Sequence, residues 1–311
     1  MRSLRGKGLG PALPMGFHAF SIWLKEPCQP MPDQAFLAHI DQLLASAPTH
    51  PCAGAALRVQ TLGGFRVWRR DSEIATTAWG REKALHLFQF FVTARRQFVH
   101  KEQIIDRLWP DIDIDRGDRD FKVALNALNK ALEPDRNPRE EAQFTHRYGL
   151  AYGLNFDSVW LDAEAFEQLV TTGNQALSEP APRLQVAIDC YAAAVRLYGG
   201  DFLPERRYED WTSAERERLQ LLALNTMTAL GELLLTRTPL ESLRLAQRVL
   251  AVDPVWEDAY RLQMRAFAVQ RNRPLALKTY EACVRVLKEE FGVEPLPETT
   301  ELYEQILRDE V

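Results

Sequence analysis

Residues Asp118–Leu132, DRDFKVALNALNKAL, spell an amphipathic helix with two distinct faces. Phe121, Ala124, Leu125, Leu128 and Leu132 recur at helical spacing and make one apolar stripe. Arg119, Lys122, Asn126, Asn129 and Lys130 fall on the other side, with no acid between Lys122 and Lys130. Cations seek phosphates, and arginine or asparagine can bond a base edge through two atoms at once. An ordinary solvated face can carry the same residues, so the neighbours of this helix decide between the two readings.

Toward the N-terminus, Asp111–Asp118 reads as a polar loop. Before it, Lys101–Leu108 places Ile104, Ile105 and Leu108 on one face and stops at Trp109-Pro110, as a helix does before proline. Ala84–Ala94 is a further helical pattern carrying Leu85, Leu87, Phe88 and Phe91. Earlier still, Leu57-Arg58-Val59 and Phe65-Arg66-Val67 alternate like short strands around Gly63-Gly64, with another strand expected near Ile74. Toward the C-terminus, Glu133-Pro134 and a charged loop lead to Phe144–Tyr152, a strand pair turning near Tyr148-Gly149. Strands, three helices and a hairpin in that order predict a winged helix over residues 57–155. In that arrangement the second and third helices make a helix-turn-helix, the hairpin is the wing, and the third helix enters the major groove.

This context makes Arg119, Lys122 and Asn126 the leading candidates for contact with double-stranded DNA. Asn129, Lys130 and Arg116 extend the set, the two cations toward phosphate. Arg147, beside Thr145 and His146, sits on the wing, where a cation can reach the neighbouring minor groove. Lys101 opens the second helix, where free backbone amides also favour an anion. Arg95 and Arg96 end the first helix, where cations suit its dipole. Asp111, Asp113 and Asp115 imitate a calcium loop, but that pattern needs Gly at its sixth position and Glu at its twelfth. Those positions hold Arg116 and Lys122, so no metal is expected.

The rest of the chain divides in two. Residues 1–56 are rich in Pro, Gly and Ala and read as a poorly structured extension with one helix over Asp33–Leu44. Its Gly6, Gly8, Gly10 run lacks the preceding strand a phosphate loop needs. Residues 156–311 are helical throughout. Asp162 is expected to cap a helix carrying Phe166 and Leu169, and a helix over Pro182–Leu197 ends at Gly199-Gly200. Patterns over Tyr208–Leu235, Pro239–Val252, Val255–Val269, Pro274–Phe291 and Thr299–Leu307 follow, with short Pro- or Gly-bearing links that favour antiparallel neighbours. Pro239 and Pro274 stand close to one tetratricopeptide period apart.

Charge is divided the same way. The chain carries a net −5, yet residues 57–155 have a surplus of three cations and residues 156–311 a deficit of nine. A locally basic segment can meet DNA despite an acidic whole. Cys28, Cys52, Cys190 and Cys283 show neither disulfide nor zinc spacing, which suits a reducing cytoplasm. No apolar run approaches the roughly 18 residues of a membrane span. No nucleophile, base or Walker-type loop has a recognisable local setting, so neither an enzyme nor a cofactor is expected.

Residues 57–155 resemble the OmpR-type winged helix found in bacterial activators of the antibiotic regulatory protein (SARP) class. The carrying residues are Leu62-Gly63-Gly64-Phe65, Trp79, Arg81, Lys83-Ala84, Val99, Leu108-Trp109-Pro110, Leu132-Glu133-Pro134, Tyr152 and Leu154. The last half resembles the bacterial transcriptional activator domain that follows such winged helices. Asp162, Phe166, Tyr198–Leu203, Trp211, Arg216, Asp253-Pro254, Arg261, Met264, Ala276, Tyr280, Leu287, Gly292 and Pro295 carry that resemblance. It departs from the family at Asn129-Lys130, where the third helix is often richer in arginine. The resemblance implies a mainly helical chain, a winged helix followed by a tetratricopeptide-like domain, acting as a transcription regulator of the activator kind. It further implies a homodimer on DNA at paired or repeated half-sites, and RNA polymerase as a partner of the helical domain. The alternative is a helical scaffold whose winged helix binds protein rather than DNA.

Overall fold

The strands, three helices and hairpin expected over residues 57–155 form in that order in a computed structural model, which describes residues 55–310 apart from Pro138. The expected helix over Asp33–Leu44 lies outside the described residues. Strand β1 (Leu57–Gln60) pairs antiparallel with β2 (Arg66–Arg69), which pairs with β3 (Ser72–Glu73). Alternation places Leu57 and Val59 in the core. Then come a 3-10 turn with buried Trp79, helix α1 (Glu82–Ala94), strand β4 (Val99–His100) and helix α2 (Lys101–Leu108). Helix α3 (Ile114–Leu132) and the wing strands β5 (Thr145–Tyr148) and β6 (Ala151–Leu154) complete the motif. The wing sheet has the order β4-β6-β5, and Gly149 turns it with φ +61°.

Two expectations need correction here. The segment 114–118, read as loop, is the first turn of α3. Asp113 caps it by accepting from the Arg116 backbone N–H at 2.9 Å, so acids that suggested a solvated loop are an N-terminal helix signal. The strand β7 (Val159–Leu161) has no counterpart in the sequence reading. It lies parallel to β1, with Leu57 opposite Val159 and Val59 opposite Leu161, and gives the first sheet the order β3-β2-β1-β7. The N-terminal sheet therefore takes one strand from the threshold of the helical half.

Helix α1 is buried nearly all round: Ala84, His86, Leu87, Phe88, Gln89, Phe90, Phe91 and Val92 are all inside. A helix apolar on every side is one covered on every side. Helix α3 and the wing strand β6 cover part of it, and the helical half covers another, with Phe90 edge-on to Trp211 at 5.5 Å between ring centres.

Among the described residues the second half holds seven α-helices: α4 (Asp162–Ser178), α5 (Leu184–Leu197), α6 (Asp210–Leu234), α7 (Pro239–Val252), α8 (Glu257–Val269), α9 (Arg273–Phe291) and α10 (Pro297–Arg308). Each packs on its neighbour in sequence, as short links require. Pro239 and Pro274 stand in the first turns of α7 and α9, where the missing N–H costs nothing. One apolar core runs without a break from Leu57 to Leu262, through both halves. Smaller clusters around Met264, Leu302 and Ile306 close the far end.

Candidate nucleic-acid interface

The apolar stripe of α3 does what its spacing predicts. Phe121, Ala124, Leu128 and Leu132 are buried, and Phe121 meets Tyr152 of the wing edge-on at 4.9 Å. Gly117 makes the helix-turn-helix close: a Cβ there would stand 2.6 Å from the Ile105 side chain of α2. With that face turned inward, Arg119, Lys122, Asn126 and Lys130 are exposed on the outer face. Arg119 makes no ion pair among the described residues. Val123, exposed on the same face, was not among the candidates. An apolar side chain between a cation and an amide suits a thymine methyl as well as it suits solvent, and no local signal separates the two.

Lys122, Lys101, Arg116 and Arg147 are engaged. Lys122 pairs with Asp118 at 2.6 Å. Lys101 pairs with the other oxygen of the same carboxylate, and its backbone N–H donates to Leu150 O at 2.9 Å. The amide expected to be open to an anion is therefore taken. Hydrogen bonds from the two ammonium groups hold the Asp118 carboxyl down at about 2. Arg116 lies 3.9 Å from Asp120. Arg147 donates from Nε to Gly149 O at 2.7 Å and lies over the Tyr152 ring, so its guanidinium is braced against the wing's own turn. His146 is exposed beside it, and Tyr148, 81% exposed, stands at the wing tip. The sequence marked Tyr148 only as a turn, although an exposed aromatic at a turn is itself a signal.

Asn129 is corrected from an outward contact to an internal brace. It is 8% exposed, and its Oδ1 accepts from Thr145 Oγ1 at 2.7 Å. The bond ties the end of α3 to the first wing strand and fixes the angle between the two elements that would straddle the duplex.

Behind this surface lies a polar joint to the helical half. Asp162, the first residue of α4, is buried. One carboxylate oxygen accepts from Thr61 N at 2.7 Å and Leu62 N at 2.8 Å. The other accepts from Thr61 Oγ1 at 2.6 Å and Ala163 N at 2.8 Å. Its side chain thus reaches back across the sheet rather than only capping its own helix. Burial pushes the carboxyl up to about 6, against the pull of the four donors. Gly63 crosses Gly199 beside it, Gly63 N donates to Asp201 O at 2.9 Å, and Leu203 N donates to Thr61 O at 2.9 Å. Arg95, assigned by sequence to the dipole of α1, instead bonds Glu167 of α4 and Glu215 of α6, and Arg218 bridges the same two acids. Its partners lie 72 and 120 residues away.

Among the described residues no group of His, Cys, Asp and Glu could hold a metal ion, and no helix is long and apolar enough to cross a membrane.

Comparisons with known proteins bear on both halves. Residues 161–307 match the family described as bacterial transcriptional activator domain. The chain is 28% identical over 264 residues to regulatory protein AfsR of Streptomyces griseus, covering 84% of this chain and 26% of that protein. It is 28% identical over 271 residues to regulatory protein AfsR of Streptomyces coelicolor, covering 84% and 25%. The chain thus spans about a quarter of the length of these curated relatives. A solved structure of Mycobacterium tuberculosis EmbR in complex with low affinity phosphopeptide superposes with a TM-score of 0.71 at 20% identity, over 82% of this chain and 66% of that one. At that identity the likeness concerns the fold, a winged helix followed by a helical domain.

Proposed function

We propose that this chain is a transcription regulator of the antibiotic regulatory protein class, built around the bacterial transcriptional activator domain matched over residues 161–307. It binds promoter DNA with α3 in the major groove and the wing against the adjoining backbone. The observation that carries this reading is the outer face of α3, where Arg119, in no ion pair among the described residues, stands in line with Val123, Asn126 and Lys130 while the opposite face is buried. Arg119 and Asn126 are assigned to base edges, and Lys130, Arg116 and Arg147 to phosphates. The helical half supplies the contacts of a homodimer on paired half-sites or of RNA polymerase, and the protein acts in the cytoplasm.

Band-shift titration of promoter fragments across a salt series tests this. Binding should be selective and should weaken steeply with salt. Equal, salt-insensitive binding to all fragments, or capture of a protein partner with no affinity for DNA, would instead favour a scaffold. Within the site, Arg119→Ala should cost about 1–3 kcal/mol on the preferred fragment and relax selectivity at one base position. Lys130→Ala should weaken all fragments alike and flatten the salt slope by about 1. Identical profiles for the two variants would reject these assignments. A two-fold related footprint, with mass measured on the bound species, checks the dimer.

A further inference from the structure

Two of the cations nearest the proposed DNA surface are neutralised by one acid. Lys101, at the start of α2, and Lys122, on α3, both pair with the carboxylate of Asp118, one on each oxygen. The three residues come from the two helices of the helix-turn-helix, so the pairing is built by the fold and not by one helix alone. Asp118 is about a quarter exposed and Lys122 about two thirds, which places the cluster where a duplex approaching α3 would lie. A carboxylate holding two ammonium groups at hydrogen-bond distance offers them what a DNA phosphate would offer. Any duplex that recruits Lys101 or Lys122 must first displace Asp118, and the pair with Lys122, the more exposed of the two, is weak enough to be displaced first.

We propose that Asp118 is a specificity-determining residue: by occupying Lys101 and Lys122, it withholds two phosphate contacts from DNA of arbitrary sequence. This rests on the DNA-binding reading above. Non-specific affinity comes almost wholly from cations meeting phosphates, so an internal anion lowers it directly. A matched site can recover the difference, because base-edge contacts by Arg119 and Asn126 hold the duplex in the register at which the exchange of Asp118 for phosphate occurs. Arg119 and Lys130, which no acid holds among the described residues, remain available for first encounter.

The test compares the full chain with Asp118→Asn and Asp118→Ser on the preferred fragment and on a random fragment of equal length, across a potassium chloride series. Thermal melts of all three proteins establish that each is folded. Both variants should bind the random fragment about tenfold more tightly at low salt, with a salt slope steeper by about 1 to 2, one step for each cation released to phosphate. The ratio of preferred to random affinity should fall. Random-fragment binding that is unchanged or weaker in both folded variants overturns the proposal, because the carboxylate would then serve to aim the lysines. If neither the native chain nor the variants show salt-dependent binding to any fragment, the DNA-binding reading itself fails. These two failures are told apart by whether the native protein binds at all.

Discussion

Gly63→Ala is expected to destabilise the folded chain by about 3 kcal/mol or more, because two separate penalties fall on one atom. Gly63 has φ +81°, a region that an L side chain enters at a cost of roughly 1–2 kcal/mol. The Cβ would also stand 2.6 Å from the carbonyl carbon of Gly199 and 2.7 Å from its oxygen. Those atoms are backbone and cannot rotate away. They belong to the Gly199-Gly200 turn after α5, and Gly63 N is already committed to Asp201 O. Relief would require the β1–β2 connection and the α5–α6 connection to separate, which would pull the Leu62–Phe202 bridge apart. Gly80→Ala is the control. Gly80 also has positive φ, +65°, but its Cβ would meet nothing within 4 Å, so only the conformational penalty should appear. Chemical denaturation of the two variants measures the difference, and equal losses would show that the Gly63–Gly199 crossing does not constrain the joint.

That crossing shows where the sequence was legible and where it was not. Helix α2 was read to the residue, Lys101–Leu108, because its stop signal, Trp109-Pro110, is local. The wing was read because alternation and a glycine turn are local. The buried face of α3 was read because its period is unbroken from Phe121 to Leu132, about three turns. Its first turn was missed, since Asp113, Asp115 and Asp118 look like solvated loop until one of them is recognised as a cap. Asn129 shows the limit of a helical wheel: it lies on the border between the two stripes, and Thr145 across the wing decides its side. Strand β7 and the partners of Arg95 left no local trace at all. A three-residue parallel strand gains its identity from β1, a hundred positions earlier, and the acids that receive Arg95 are ordinary helix-surface residues in sequence. What the sequence hid was therefore the joint, a set of pairings between segments that each look complete alone.

The joint also sets the largest effect of a single side chain. Asp162→Ala should cost about 3–5 kcal/mol, because it strands the buried donors Thr61 N, Leu62 N and Thr61 Oγ1, each worth roughly 1–3 kcal/mol when left unpaired. Part is offset because a buried charge disappears with the side chain. Asp162→Asn keeps the shape but turns an amide against at least one backbone N–H, so it should destabilise as well. Acidity separates this role from mere packing. The folded carboxyl, pushed up to about 6, lies above its ordinary value of 3.8. Its contribution to stability is therefore fully present below pH 3.8 and is lost as pH rises through about 6. The stability gap between the native chain and Asp162→Asn should accordingly narrow between those limits and stay constant above them. A gap that widens over the same range would mean that the four donors outweigh burial and hold the carboxyl below its ordinary value. With either sign, the group that titrates ties Thr61 and Leu62 of the first sheet to the start of α4.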